Sequence, residues 1–148
     1  MAGFWTVPEG LRVDPDGAWT VGGLKVRHLP SLRELKARLR FSDEGAFLMD
    51  GTSRLPVQID GPAFEVQGLR LDETKGEACA LLDDGSEESL TDVAVDGRSG
   101  RFFCAVREGR ARAVLSRAAQ QALVPHVGEE GDGQFCVAVG PRRLALRT

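Results

Sequence analysis

The chain has 148 residues, of which 42% are apolar and 28% charged, with a formal net charge of −3. That length fits one domain or two small lobes, and the composition excludes disordered and fibrous classes. The acidic balance disfavours nucleic acid as a partner, and no apolar run approaches membrane-spanning length.

The N-terminal stretch Met-Ala-Gly-Phe-Trp-Thr-Val-Pro has no basic region and no long apolar core, so it does not read as a signal peptide. Val13 to Val21 reads as a hairpin, because Asp14-Pro15-Asp16-Gly17 is a strong turn signal between apolar strands. Gly22-Gly23 makes the next turn, and Leu24 and Val26 alternate along a third strand. Ser31-Leu32-Arg33-Glu34 has the form of a capping box, with Pro30 stopping the strand before it. Leu32, Leu35 and Leu39 then define the apolar face of a helix ending near Arg40. Gly45 to Ile59 reads as a hairpin around Asp50-Gly51.

The section from about Gly61 to Asp96 differs in character. Phe64, Val66, Leu69 and Leu71 suggest a strand whose alternation slips near Gly68, as a bulge would make it. Ala78 to Leu82 is a second strand, closed by Asp83-Asp84-Gly85, and Ser89 to Val95 a short edge strand or loop. Before Asp96 this section carries nine acids (Glu65, Asp72, Glu73, Glu77, Asp83, Asp84, Glu87, Glu88 and Asp92) against Arg70 and Lys75. Beyond Gly97 to Gly100, Phe103 and Ala105 lead through Glu108-Gly109 to a strand over Arg110 to Leu115. Ser116 caps a helix with Ala118, Ala119, Ala122 and Leu123 inward, which Pro125 ends or kinks. That small face suggests close packing against the first helix. Gln134 to Val139 and Arg142 to Leu146 form the last hairpin, through Gly140-Pro141.

The two ends look like copies, about Trp19 to Val57 and Phe103 to Leu146. Ser31 matches Ser116 and Phe47 matches Phe135, at separations of 85 and 88 residues. The expected fold is therefore α+β: two pseudo-repeated β-β-α-β-β units joined by a β-rich section, in two lobes. Residues 1–60 form the N-terminal lobe and 61–148 the connection plus the second copy, packed as one compact unit. The expected core is Trp19, Leu35, Leu39, Phe47, Phe103, Leu115, Leu123 and Phe135.

These segments resemble the bacterial domain-of-unknown-function family 1285. The resemblance rests on Asp16-Gly17-Ala18-Trp19, the Gly22-Gly23 turn, Arg27-His28 before the Leu32 to Leu39 helix, and Asp60-Gly61-Pro62-Ala63-Phe64. Val106 to Gly109 and Ser116 to Leu123 resemble the family's second half. A Pro-rich aromatic extension typical of the family is reduced here to Phe4-Trp5-Thr6-Val7-Pro8, and Thr52-Ser53-Arg54 stands where the family pattern has an acid. The resemblance implies a two-lobed α+β fold and brings no catalytic role for any residue.

No catalytic constellation is legible. His28 precedes a helix and His126 follows one, neither in a nucleophile-elbow or Cys–His pattern. Asp14-Pro15-Asp16-Gly17 lacks the further ligands of a calcium loop. No Gly-rich phosphate cradle occurs, and Cys79, Cys104 and Cys136 are odd in number and scattered, which argues against disulfides and zinc. No cofactor, no metal and no catalytic residue is expected. Charge gives the one functional hint. Residues 25–40 hold Lys25, Arg27, Arg33, Lys36, Arg38 and Arg40 against Glu34, a net of +5. Arg33, Lys36 and Arg40 share one helical stripe at i, i+3 and i+7, so the expected binding face is Arg27, His28, Arg33, Lys36 and Arg40.

The reading that follows is a non-enzymatic cytoplasmic binding or regulatory module, with signalling as a candidate process. The alternative is an anionic-ligand or nucleic-acid binder using the basic helix face, and the third is an enzyme with a dispersed active site. Expected partners are a protein or a small anionic ligand, with no membrane among them.

Overall fold

A computed structural model describes residues 10–131 and 133–148; the Phe4 to Pro8 segment lies outside them. The chain divides into two units, Met1–Ala63 and Phe64–Thr148. The fold is mostly β with two short helices, an α+β content.

In the first unit, strand β1 (Leu11–Val13) turns into β2 (Trp19–Val21) through the Asp14 to Gly17 loop. Asp14 fixes this turn: its carboxylate accepts from the Asp16 and Ala18 amides at 3.0 and 2.9 Å. The aspartates thus serve the backbone, as a Pro-Asp-Gly turn requires. β3 (Leu24–Lys25) follows the Gly22-Gly23 turn, whose φ values of 58° and 85° suit glycine. Helix α1 spans Leu29–Arg38, capped by His28, whose ring accepts from the Ser31 amide. The cap therefore lies three residues before the expected Ser31. Pro30 sits inside the first turn, where its missing N–H costs nothing.

Leu39 leaves the helix with extended backbone and opens β4 (Leu39–Ser42), which pairs with β5 (Gly45–Asp50) and then β6 (Ser53–Pro56). A further strand β7 (Gln58–Ile59) runs parallel to β1, giving a sheet of order β3-β2-β1-β7. Val13, Trp19, Leu35, Leu39, Leu48 and Val57 form the core of this unit. The buried Trp19 indole N–H donates to the Ala63 carbonyl at 2.9 Å. Gly61 passes so close to the Asp14 and Pro15 backbone that a Cβ there would overlap it, which accounts for glycine at this position.

The second unit is one nine-stranded sheet: β8 (Phe64–Asp72), β9 (Glu77–Leu82), β10 (Glu87–Ser89), β11 (Asp92–Val95), β12 (Phe102–Val106), β13 (Ala111–Leu115), β14 (Val127–Glu129), β15 (Phe135–Val139) and β16 (Arg142–Arg147). Its order is β10-β9-β8-β13-β12-β11-β16-β15-β14, with parallel joints at β8–β13 and β11–β16. The expected bulge is present: the β8–β9 register shifts between Val66 and Gly68. The sheet curls. Gly140, in the β15–β16 turn, lies against the Glu73 backbone in the β8–β9 turn, although several strands separate them in the sheet. Helix α2 (Arg117–Leu123), capped by the Ser116 hydroxyl, packs on β8 and β13. Pro125 then falls in a 3-10 turn.

Five expectations change. Ser89 to Val95 is two strands, and β11 lies inside the sheet. In α2 only Ala119 and Leu123 are buried, and they face the sheet. β12 buries Phe102, Cys104 and Val106, so Phe103 is half-buried beneath the Arg112 guanidinium. Phe135 is 47% exposed. Phe47 is also half-buried, with the Arg54 guanidinium 4.6 Å from its ring. In each case both phases of the strand carry apolar side chains, so alternation alone does not select the inner one.

Candidate functional site

The five basic residues expected to form one face do not stay together. Lys36 is 7% exposed and belongs to the buried side of α1 beside Leu35. Arg40 lies in β4, where its guanidinium donates to the Ala37 and Leu39 carbonyls at 2.8 and 2.9 Å. It thus satisfies carbonyls at the helix end, a common arrangement for a cation there. Arg38 pairs with Glu34 at 2.9 Å. The i, i+3, i+7 stripe fails because the helix ends at Arg38 and the chain changes period. His28 is committed locally, with Nδ1 2.7 Å from the Ser31 hydroxyl.

What remains is a different surface. Lys25, Arg27 and Arg33 are exposed, and their side chains make no hydrogen bond or ion pair with another described residue. Residues 22–33 contain no acid. Leu24 and Leu29 project from the same segment, 78% and 74% exposed. Their places follow from local structure. The Val21–Leu24 pair brackets a two-glycine turn, and Leu29 is the first residue of α1, exposed by its place at the helix's N-terminal end although it shares a helical face with the buried Lys36 seven residues on. Leu24 and Val26 are expected to alternate along a third strand, but β3 holds only Leu24 and Lys25.

Three arginines of the second unit are committed to acids of the acid-rich section. Arg107 lies 4.6 Å over the Phe64 ring, bonds Glu88 at 2.5 Å and also pairs with Asp84. Arg70 pairs with Glu87 at 2.5 Å, and Arg147 with Asp92. Asp84, Glu87, Glu88 and Asp92 are thereby each paired with an arginine. Burial pushes the Asp84 carboxyl upward, but hydrogen bonds from Ser86 and the Arg107 charge outweigh it, leaving the group below its ordinary value.

Nucleophile–base pairing is poorly supported. His126 Nδ1 lies 3.0 Å from the Ala138 carbonyl, a partner that puts a proton on that nitrogen, and 3.6 Å from Glu73. It lines an open groove of about 1030 Å³ with Cys79, Ser89, Arg70 and Arg142, but no hydrogen bond joins it to Cys79 or Ser89 among the described residues. The Cys104 thiol is pushed up to about 12, chiefly by burial and further by Asp92 and Glu88, which makes it a poor nucleophile. Cys136 is raised by its hydrogen bond to Glu130 and by burial. All three cysteines are unbridged, and no group of three metal-ligating side chains converges among the described residues.

No protein-family model and no curated protein matches the chain. Two solved structures do. The crystal structure of a DUF1285 family protein from Silicibacter pomeroyi DSS-3 superposes with a TM-score of 0.73 at 18% identity, covering 99% of this chain and 86% of that one. A DUF1285 family protein from Shewanella baltica OS155 gives a TM-score of 0.55 at 14% identity, over 79% of this chain and 91% of that one. The fold is that of these two DUF1285 family proteins.

Proposed function

We propose that this chain is a DUF1285 family member that acts as a non-catalytic cytoplasmic binding module, docking an anionic partner through residues 22–33. The observation that carries this reading is the surface itself: Lys25, Arg27 and Arg33 without internal partners, no acid among them, and two leucines in solvent. A chain of net charge −3 has no general attraction for anions, so a local field must supply it. Free thiols suit a reducing compartment. The segment has no Phe, Tyr or Trp for bases to stack on, which argues against single-stranded nucleic acid as the occupant.

Both units as copies of one design belong to the same reading. Its support is strand order: β3-β2-β1-β7 and β4-β5-β6 in the first unit have the same chain order and pairing senses as β13-β12-β11-β16-β15-β14 in the second. Each helix cap accepts from the amide three residues on, and Leu35 and Leu123, seven residues past the caps His28 and Ser116, are both buried. This alignment pairs His28 with Ser116. It also pairs Leu48 with Val137, the partners of Leu39 and Val127, so Phe135 falls opposite Ala46.

Retention on an immobilised polyglutamate column at low salt tests the binding face. Wild type should be retained and released as salt screens the charges, whereas Arg27→Glu/Arg33→Glu should flow through with unchanged circular dichroism. Retention of that variant equal to wild type would refute the assignment.

A further inference from the structure

The geometry points to the surface of an anionic phospholipid bilayer as the occupant of residues 22–33, a contact made on the membrane and not across it. This rests on the binding face assigned above and commits it to one partner chemistry. The sequence reading expected no membrane because no apolar run can span one, and no helix among the described residues is long and apolar enough to cross. Attachment to a surface needs no such run.

Three features carry the inference. Leu24 stands beside a turn of two positive-φ glycines and Leu29 at the first position of a helix, so both leave the fold at protruding ends of elements. Scattered exposed leucines are ordinary. Here two stand within six residues of sequence, with Lys25 and Arg27 between them and Arg33 one helical turn past Leu29, all three side chains without a partner among the described residues. A bilayer presents this combination in reverse, with anionic headgroups lying directly over acyl chains.

The residue types also favour lipid over protein. Hot spots between proteins are dominated by Trp, Tyr and Arg set into pockets, with leucine under-represented. Residues 22–33 contain no Phe, Tyr or Trp, and the anchors are aliphatic. Lysine and arginine stems can lie along the interface while their charges reach phosphate. Three cations near an anionic surface strengthen partitioning about fivefold each, on the order of a hundredfold together. Attachment should therefore be reversible and salt-sensitive.

The test is co-sedimentation of the full chain with vesicles of phosphatidylcholine alone or mixed with phosphatidylserine, run beside the polyglutamate column. Wild type should pellet with the mixed vesicles at low salt and stay in solution with phosphatidylcholine alone. Leu24→Ser/Leu29→Ser should weaken vesicle binding about tenfold or more while leaving polyglutamate retention unchanged. Arg27→Glu/Arg33→Glu should lose both, and Arg117→Glu, a control at the start of α2, should lose neither. Vesicle binding that is absent, or indifferent to the two leucines, overturns the membrane assignment. If polyglutamate retention persists in that case, the face is real and its occupant is an acidic protein; if retention is also absent, the binding face falls with it.

Discussion

Arg107 shows how much of this protein's charge is spent internally. Its backbone sits at φ 52°, a conformation unusual for a side chain of this size, and its amide donates to Glu88 at 2.9 Å. Its guanidinium also meets Asp84 and the Phe64 ring. Arg107→Ala removes the guanidinium contacts, keeps the amide bond and leaves two carboxylates half-served, so it should cost about 2–3 kcal/mol in a denaturant titration. Asp84 also gives a pH dependence. Its folded value lies below the ordinary carboxylate value, so the stabilisation is present above about pH 4 and fades as pH falls through the folded value. Stability measured from neutral pH downward should therefore fall less steeply in Asp84→Asn, and equal slopes would contradict the assignment. Thiol accessibility orders the cysteines. In native protein a thiol reagent should modify the half-buried Cys79 before the buried Cys104, whose thiol is held at about 12.

At the scale of elements, turns were the most legible part of the sequence. Asp14 to Gly17, Gly22-Gly23, Asp50-Gly51 and the bulge by Gly68 all lie where side-chain chemistry or glycine required them. Helix ends and strand phases were less legible, for identifiable reasons. A histidine cap at His28 competes with a well-formed Ser31-Leu32-Arg33-Glu34 motif, and only the backbone decides between them. Phe102-Phe103 and Phe135-Cys136 offer an apolar side chain to either face of the sheet, so tertiary packing selects the phase. The proposed surface is half legible: Arg27 and Arg33 follow from charge, whereas the exposure of Leu24 and Leu29 is set by where β3 and α1 begin. The core assignment gives a paired test. Leu48→Ala, at a fully buried position, should cost about 2–5 kcal/mol, whereas Phe135→Ala should cost well under that. Gly140→Ala should cost about 1–3 kcal/mol, because a Cβ must push apart two turns whose backbones touch.

At the scale of the whole molecule, a net charge of −3 conceals an uneven distribution. In the second unit, Arg70, Arg107 and Arg147 pair with Asp84, Glu87, Glu88 and Asp92, four of the nine acids from Glu65 to Asp92. The first unit keeps its unpartnered cations in one acid-free segment, which sequence counting over residues 25–40 placed only approximately. The measurement that bears most directly on this account is a residue-resolved amide-shift titration of the full chain with a short polyglutamate peptide at low salt. Shifts concentrated in residues 22–33 and abolished by salt are the predicted result. Shifts centred on the groove around Arg70, His126 and Arg142, with residues 22–33 unmoved, would contradict it.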